Sequence, residues 1–297
     1  MDRFQEMEVF AKVAELSSFS RASEQLQLPR ATVTHTVQQL EKRLGTRLLQ
    51  RTTRHVSLTL DGQAYLERCR RLLSDLADAE MAFSQAAHKP RGRLRVDLQG
   101  TLAMHFLLPN MKEFFDRYPD IEVDIGLGDR IVDLVREGID CVVRAGEPRD
   151  SSMVARRVAL LPQVTCASSQ YLQAHGEPQK PGDLNQHRAV NYAGGSGKCL
   201  PFDFLVDGKP LSIQMRGSAT VRHADAYVTL CEAGLGLIQL PRYHVEERLA
   251  SGVLREVLRE FRPAPMPVSV LYPHARQLSP RVRVFVDWVS DRMSRHG

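Results

Sequence analysis

The chain has 297 residues, 43% of them hydrophobic and 25% charged, with a formal net charge of +5. That length suits two or three compact units, and an ordinary composition without low-complexity tracts or fixed-period repeats excludes a disordered chain and a solenoid. The opening Met1-Asp2-Arg3-Phe4-Gln5-Glu6 carries two acids with no apolar core behind it, and no apolar run approaches the roughly eighteen residues of a membrane span, so the expectation is a cytoplasmic protein with no membrane contact.

Phe4, Met7, Phe10, Val13 and Ala14 recur at helical spacing and predict a first amphipathic helix ending near Leu16-Ser17. A second helix is expected from Ser18-Phe19-Ser20, with Ser20 as its N-cap and Ala22 and Leu26 turned inward. Leu28-Pro29 interrupts it, because proline disfavours a helical residue before it and sits well in a first turn. A third helix then runs from about Arg30 to Leu44 and stops at Gly45. Its Val33, Val37, Leu40 and Leu44 advance by four, three and four and form the core face. At about 100° per residue, Ala31, His35, Gln38 and Lys42 lie opposite, with Arg30 and Thr34 on one flank and Thr32 on the other. Hydroxyls, an amide, an imidazole and cations on one helix face can read base edges and hold phosphates, as in a helix-turn-helix. The same pattern also fits an exposed helix of an ordinary bundle.

The next segment has the pattern of a two-stranded wing, with Leu49, Val56 and Leu58 inward and Arg51, Thr52 and Arg54 outward. Arginines at such a tip reach phosphates or a narrow minor groove. Between Arg21 and Ser57 seven Lys and Arg residues face only Glu24 and Glu41, so this stretch alone carries +5, the footprint of a phosphate-binding surface.

Residues 10–19, Ser20-Arg21-Ala22-Ser23, Thr34-His35-Thr36-Val37-Gln38-Gln39-Leu40-Glu41-Lys42-Arg43-Leu44-Gly45, Leu48-Leu49-Gln50-Arg51 and Val56-Ser57-Leu58-Thr59-Leu60-Asp61-Gly62 together resemble the LysR family of transcriptional regulators. The resemblance implies that Arg30, Ala31, Thr32, Thr34 and His35 face DNA from the recognition helix, and Arg51 and Arg54 from the wing. Gln38 and Thr52 share those faces. Many members carry arginine where this chain has His35, a shorter and largely neutral group near pH 7, which leaves base preference there open.

Thr59 is expected to cap a long helix reaching about Ala87. Leu66, Cys69, Leu73, Leu76 and Phe83 follow a seven-residue repeat that Glu80 breaks once, a narrow stripe suited to a two-helix seam. Packing of this helix on its own domain is the alternative. The resemblance implies a dimer through this helix, placing two recognition helices one DNA turn, roughly 34 Å, apart. His88-Lys89-Pro90-Arg91-Gly92 reads as a hinge.

Beyond it strands are predicted near 94–98, 121–125, 141–143, 163–167, 189–192, 235–240 and 268–271, and helices near 103–117, 131–137, 169–175, 225–233, 243–250 and 280–294. Asp207-Gly208 marks a tight turn between 204–206 and 211–213. Such alternation implies an α/β sandwich of parallel strands whose ligands gather at strand C-terminal ends. Resemblance to LysR regulators continues through Leu107-Leu108-Pro109, Phe115-Asp116-Arg117-Tyr118-Pro119, Gly138-Ile139-Asp140-Cys141-Val142-Val143-Arg144-Ala145-Gly146 and Gly234-Leu235-Gly236-Leu237-Ile238-Gln239-Leu240-Pro241. It implies an α+β multidomain chain: an all-α winged helix-turn-helix at 1–60, a linker helix and hinge at 61–91, and a two-lobed α/β periplasmic-binding-protein-like effector domain at 92–297. Lobe one would take 92–161 and 268–297, and lobe two 162–267.

Strand ends nominate the pocket. Gly100-Thr101 offers backbone N–H groups and a hydroxyl to an anionic effector. Arg144, Ala145 and Gly146 end another strand of the same lobe, with Gly195, Ser196 and His223 as candidates in lobe two. Each has a structural alternative: a turn for Gly100, a cap for Thr101, a salt bridge for Arg144. Leu102, Ala103, Phe106 and Phe202 suggest a partly apolar pocket.

Enzyme motifs fail on inspection. Gly197-Lys198-Cys199 lacks the upstream glycine and the Ser/Thr of a P-loop, and Gly234-Leu235-Gly236 lacks the third glycine of a dinucleotide fingerprint. Five scattered cysteines show no disulfide or zinc spacing and read as small buried hydrophobes, so neither metal nor cofactor is expected. The expected protein is a non-enzymatic regulator that binds an interrupted inverted repeat in promoter DNA and responds to a small molecule. It would work as a homodimer assembling to a homotetramer, with RNA polymerase as a further partner. The alternatives are a bilobed ligand-binding protein or enzyme whose N-terminal helices serve only assembly, and an architectural DNA binder that ignores small molecules.

Overall fold

The computed structural model describes residues 2–51, 56–81, 90–128, 130, 132–148, 153–194, 197–273 and 278–294. The chain divides into two compact units, Met1–Gly92 and Arg93–Gly297.

In the first unit, α1 (Arg3–Leu16), α2 (Phe19–Leu26) and α3 (Arg30–Leu44) lead to a hairpin of β1 (Leu49–Arg51) and β2 (Val56–Leu58), and then to α4 (Leu60–Met81). The cap of α2 is Ser18, whose hydroxyl accepts from the Arg21 N–H, rather than the expected Ser20. Gly45 closes α3 at φ 71°, a left-handed position that glycine reaches without cost. Phe10, Val13, Ala22, Val33, Val37 and Leu40 form the core, as the periodicity requires. Phe4 and Leu44 stand at the helix ends and stay exposed. The hairpin pairs antiparallel, with Leu49 buried and opposite Leu58.

The first part of the stripe on α4 packs within the chain, the alternative to a two-helix seam. Leu66 and Cys69 are buried in the same core as α1, and Leu73 packs against it. A narrow apolar stripe is satisfied as well by one neighbouring helix of the same chain as by a partner's. Phe83, Glu80's side chain and residues 88–89 of the hinge lie outside what is described.

The second unit is built on a five-stranded sheet of order β4-β3-β5-β14-β6, comprising β3 (Gly92–Leu98), β4 (Ile121–Leu127), β5 (Cys141–Ala145), β6 (Met153–Leu161) and β14 (Met266–Pro273). Its core joins Phe114 of α6 (Met111–Arg117) to Phe285 and Trp288 of α11 (Pro280–Met293), with ring centroids 5.6 and 5.4 Å from Phe114. The expected helix at 103–117 begins earlier and is broken. After α5 (Gly100–Leu102) come a π turn at Ala103–Leu107 and a 3-10 turn at Leu108–Asn110, where Pro109 has no N–H to donate. A short α7 (Leu134–Glu137) precedes β5.

The other half contains a sheet of order β12-β7-β13, from β7 (Gln163–Ser168), β12 (Ile238–Pro241) and β13 (Leu254–Val257). Beside it β8 (Ala189–Tyr192) pairs in parallel with β11 (Gly217–Val221), and β9 (Phe202–Val206) with β10 (Lys209–Ile213) in the hairpin that Asp207-Gly208 turns. Helices α8 (Ser169–His175), α9 (Ala224–Glu232) and α10 (Glu246–Ala250) cover these strands. The expectation of parallel strands is only partly met. β3 and β5 run parallel, whereas β14 is antiparallel to β5 and β6, and β12 and β13 are antiparallel to β7.

Candidate DNA-reading surface and effector cleft

On α3, Val33, Val37 and Leu40 are fully buried while Arg30, Ala31, His35, Gln38 and Lys42 are exposed and Thr32 and Thr34 half-buried. Thr36, on the inner side, turns its hydroxyl back to the Thr32 carbonyl at 2.8 Å. Pro29 brings no side-chain acceptor to the N-terminus of α3. Arg43 is withdrawn from the reading surface: it pairs with Glu6 at 2.5 Å, and that hydrogen bond raises its pKa further. Arg21 and Arg47 add exposed charge.

Glu41 fixes the wing to this helix. One of its carboxylate oxygens accepts from the backbone N–H groups of Leu48 and Leu49 at 2.9 and 3.0 Å. Arg51 belongs to β1, and Thr52 and Arg54 lie outside the described residues.

The nominated effector residues separate into two cavities of the second unit. Gly100, Thr101 and His223 line one of about 1020 Å³, which Phe106, Tyr243 and His244 also border. There the Thr101 and Tyr243 hydroxyls lie 3.4 Å apart, joining α5 to the segment before α10. Half-buried His244 stacks on Tyr243 with centroids 4.0 Å apart, and burial lowers its pKa to about 4.

Arg144, Ala145 and Gly146 line the other cavity, of about 750 Å³. Arg144 also makes the salt bridge of its structural alternative: it is tied into the sheet by an ion pair with Asp97 and by bonds to the Asp97 and Val143 carbonyls at 3.1 and 3.2 Å. Gly195 and Ser196 are outside the described residues, though Gly194 and Gly197 on either side border this cavity. Of the apolar candidates Phe106 borders the first of these cavities. Leu102 and Ala103 are buried in the core under the five-stranded sheet, and Phe202 in the core beside β9.

Sequence reasoning missed Gln99, Arg130, Tyr192 and Arg222, all on the second cavity. Arg222 immediately precedes the nominated His223, but its place follows from the pairing of β11 with β8, and β11 was not expected.

A winged helix-turn-helix with a polar, cationic reading helix, followed by a sheet-based unit with clefts at its strand ends, defines a DNA-binding regulator with its own ligand domain. Residues 4–63 match the family model described as bacterial regulatory helix-turn-helix protein, lysR family, and residues 87–294 the LysR substrate binding domain. The chain belongs to the LysR family of transcriptional regulators. It is 40% identical to the HTH-type transcriptional regulator YhjC of Escherichia coli K12, covering 100% of this chain and 99% of that one. It is 38% identical to an HTH-type transcriptional repressor of Pseudomonas aeruginosa, over 98% of this chain and 92% of that one. Among solved structures it is similar to CrgA, a LysR-type regulator from Neisseria meningitidis, at 32% identity and TM-score 0.59, covering 97% and 98% of the two chains. Among the described residues no helix is long and apolar enough to cross a membrane.

Proposed function

We propose that two copies of this chain read an interrupted inverted repeat near a promoter through α3 and the wing, and that a small molecule held at the strand ends of the second unit alters this binding. The observation that carries the reading is the division of α3 into a buried apolar face and an exposed face of Arg30, Ala31, His35, Gln38 and Lys42. Arg30, Ala31, Thr32, Thr34, His35 and Gln38 are assigned to base edges and nearby phosphates, and Arg51, Thr52 and Arg54 to the backbone or minor groove. Gly100, Thr101, Arg144, Ala145, Gly146, Gly195, Ser196 and His223 are assigned to the effector clefts.

The chain is divided into 1–60, 61–91 and 92–297, with lobes at 92–161 plus 268–297 and at 162–267; a helix-turn-helix match over 4–63 and a substrate-domain match over 87–294 support the separation of a DNA-binding part from an effector part. The dimer assembles to a tetramer over adjacent sites, in reach of RNA polymerase and in the cytoplasm, and the second unit senses rather than catalyses. To act as a switch the effector must bind one arrangement more tightly, since equal affinity for both shifts nothing.

Selection from a random duplex-DNA pool at moderate salt tests this. Enrichment of half-sites about one turn apart supports it. Pools without a consensus after repeated rounds, with and without candidate ligands, overturn it.

A further inference from the structure

We propose that the cavity of about 750 Å³ takes a monocarboxylate with an aryl or alkyl body, its anionic end held by Arg222. This rests on the reading of that cavity as an effector site and deepens it. The volume is in the ordinary range for small-molecule sites, ~300–1,000 Å³.

Three guanidinium groups border the cavity, and two are already engaged. Arg144 is held by Asp97, and Arg130 makes a two-toothed pair with Glu137. Arg222 is exposed, and no carboxylate among the described residues lies within 4.0 Å of it. Its backbone is held, because the Tyr192 hydroxyl donates to the Arg222 carbonyl at 3.3 Å. A guanidinium carried on a held backbone at a cleft, with no carboxylate within 4.0 Å among the described residues, is free to meet an anion, and its planar fork matches a carboxylate.

The rest of the wall fixes the other end. Leu134 and Val142 belong to a buried apolar cluster on which Met153 and Leu271 pack, and all four border the cavity. A polyhydroxylated ligand would bring hydroxyls against this wall without partners, at a cost in desolvation. A second carboxylate on the ligand would find the Arg130 and Arg144 guanidinium groups already engaged and the Glu147 carboxylate on the same wall, so one negative charge is the better match.

The test is ligand-dependent thermal unfolding of the full chain, read by the fluorescence of Trp288, the single tryptophan, which is buried in the same unit. The probes are butyrate, hexanoate, octanoate and benzoate, each against its amide, with acetate and inorganic phosphate alongside. At least one of the larger acids is expected to raise the midpoint saturably while its amide, acetate and phosphate do not. Arg222→Gln should weaken that acid roughly ten- to a hundredfold, with Arg222→Lys recovering part, and the exposed position leaves the ligand-free midpoint in place. An amide as effective as its acid, undiminished binding in Arg222→Gln, or no acid binding at all overturns the proposal.

A library of neutral and cationic compounds, screened on the full chain and on Leu200→Trp at the cavity rim, separates the two readings. Neutral or cationic ligands lost in Leu200→Trp overturn the carboxylate and keep the effector site. Ligands bound equally well by Leu200→Trp overturn the effector site itself.

Discussion

Replacing Glu41 by alanine removes the acceptor that ties the end of the reading helix to the wing. Leu48 and Leu49 are almost fully buried, and both direct their backbone N–H groups at one Glu41 oxygen, at 2.9 and 3.0 Å. A buried donor left without an acceptor costs about 1–3 kcal/mol. Glu41 is half-buried, so water reaches part of the vacated space and the two losses together come to roughly 2–3 kcal/mol, a large part of a small domain's stability. The assay uses the division of the chain into two units. Trp288 fluorescence follows only the second, whereas helix loss by circular dichroism follows both. In urea, Glu41→Ala should bring forward the part of the helix loss contributed by α1–α4 and leave the Trp288 midpoint unmoved. Below that transition, affinity for selected DNA should fall because the wing is no longer held against α3. If neither transition moves, or the Trp288 midpoint moves as far as the helix signal, the assigned role of Glu41 is wrong.

Gly62→Ala should destabilise the first unit by about 2–3 kcal/mol, because a Cβ there would stand 1.9 Å from the Leu48 carbonyl oxygen. Unchanged urea unfolding of the helix signal would contradict it. In native protein one of the five thiols should react readily with a disulfide reagent. Cys199 is half-buried and the other four are buried, with the Cys69 thiol pushed up to about 11 by burial and Cys166 raised by its hydrogen bond with Cys231 and by burial. Rapid labelling of two or more thiols without denaturant would refute this. His244 titrates at about 4 in the folded chain and 6.5 when free, so the unfolded chain binds its proton first on acidification. Its contribution is fully present above about pH 6.5 and is lost as pH falls towards 4. For a half-buried ring this is on the order of 1–2 kcal/mol. His244→Gln should flatten the decline of the Trp288 midpoint over that window, and an identical decline in the variant would remove His244 as its cause.

The first unit was legible because its information is local. Val33, Val37 and Leu40 mark one side of α3 by spacing alone, and the polar residues opposite follow from helix geometry. What spacing cannot say is which neighbour fills an apolar stripe. Leu66 and Cys69 of α4 pack with the core that includes Phe10 and Val13 of α1, although their spacing suits a partner helix equally. Ser18 and Ser20 are equal candidates for a cap by residue type, and Ser18 is the one whose extended backbone lets its hydroxyl meet the N–H three positions on.

The second unit was legible strand by strand only where hydrophobic runs announced it. β6 carries Arg156-Arg157 in its middle, and β11 is mostly small residues, so neither shows the pattern of a core strand. Missing β11 had a direct consequence for the site. Its parallel pairing with β8, Val221 opposite Tyr192, brings Arg222 to the same end of the pair as Ala193 and Gly194. The Tyr192 hydroxyl can then reach the Arg222 carbonyl, thirty positions away in sequence. Arg144, by contrast, ends a recognisable strand and was nominated, but its charge is already met by Asp97 on the neighbouring strand β3. Position at a strand end therefore identifies what borders a cleft, while long-range pairing decides which bordering charge remains available to a ligand.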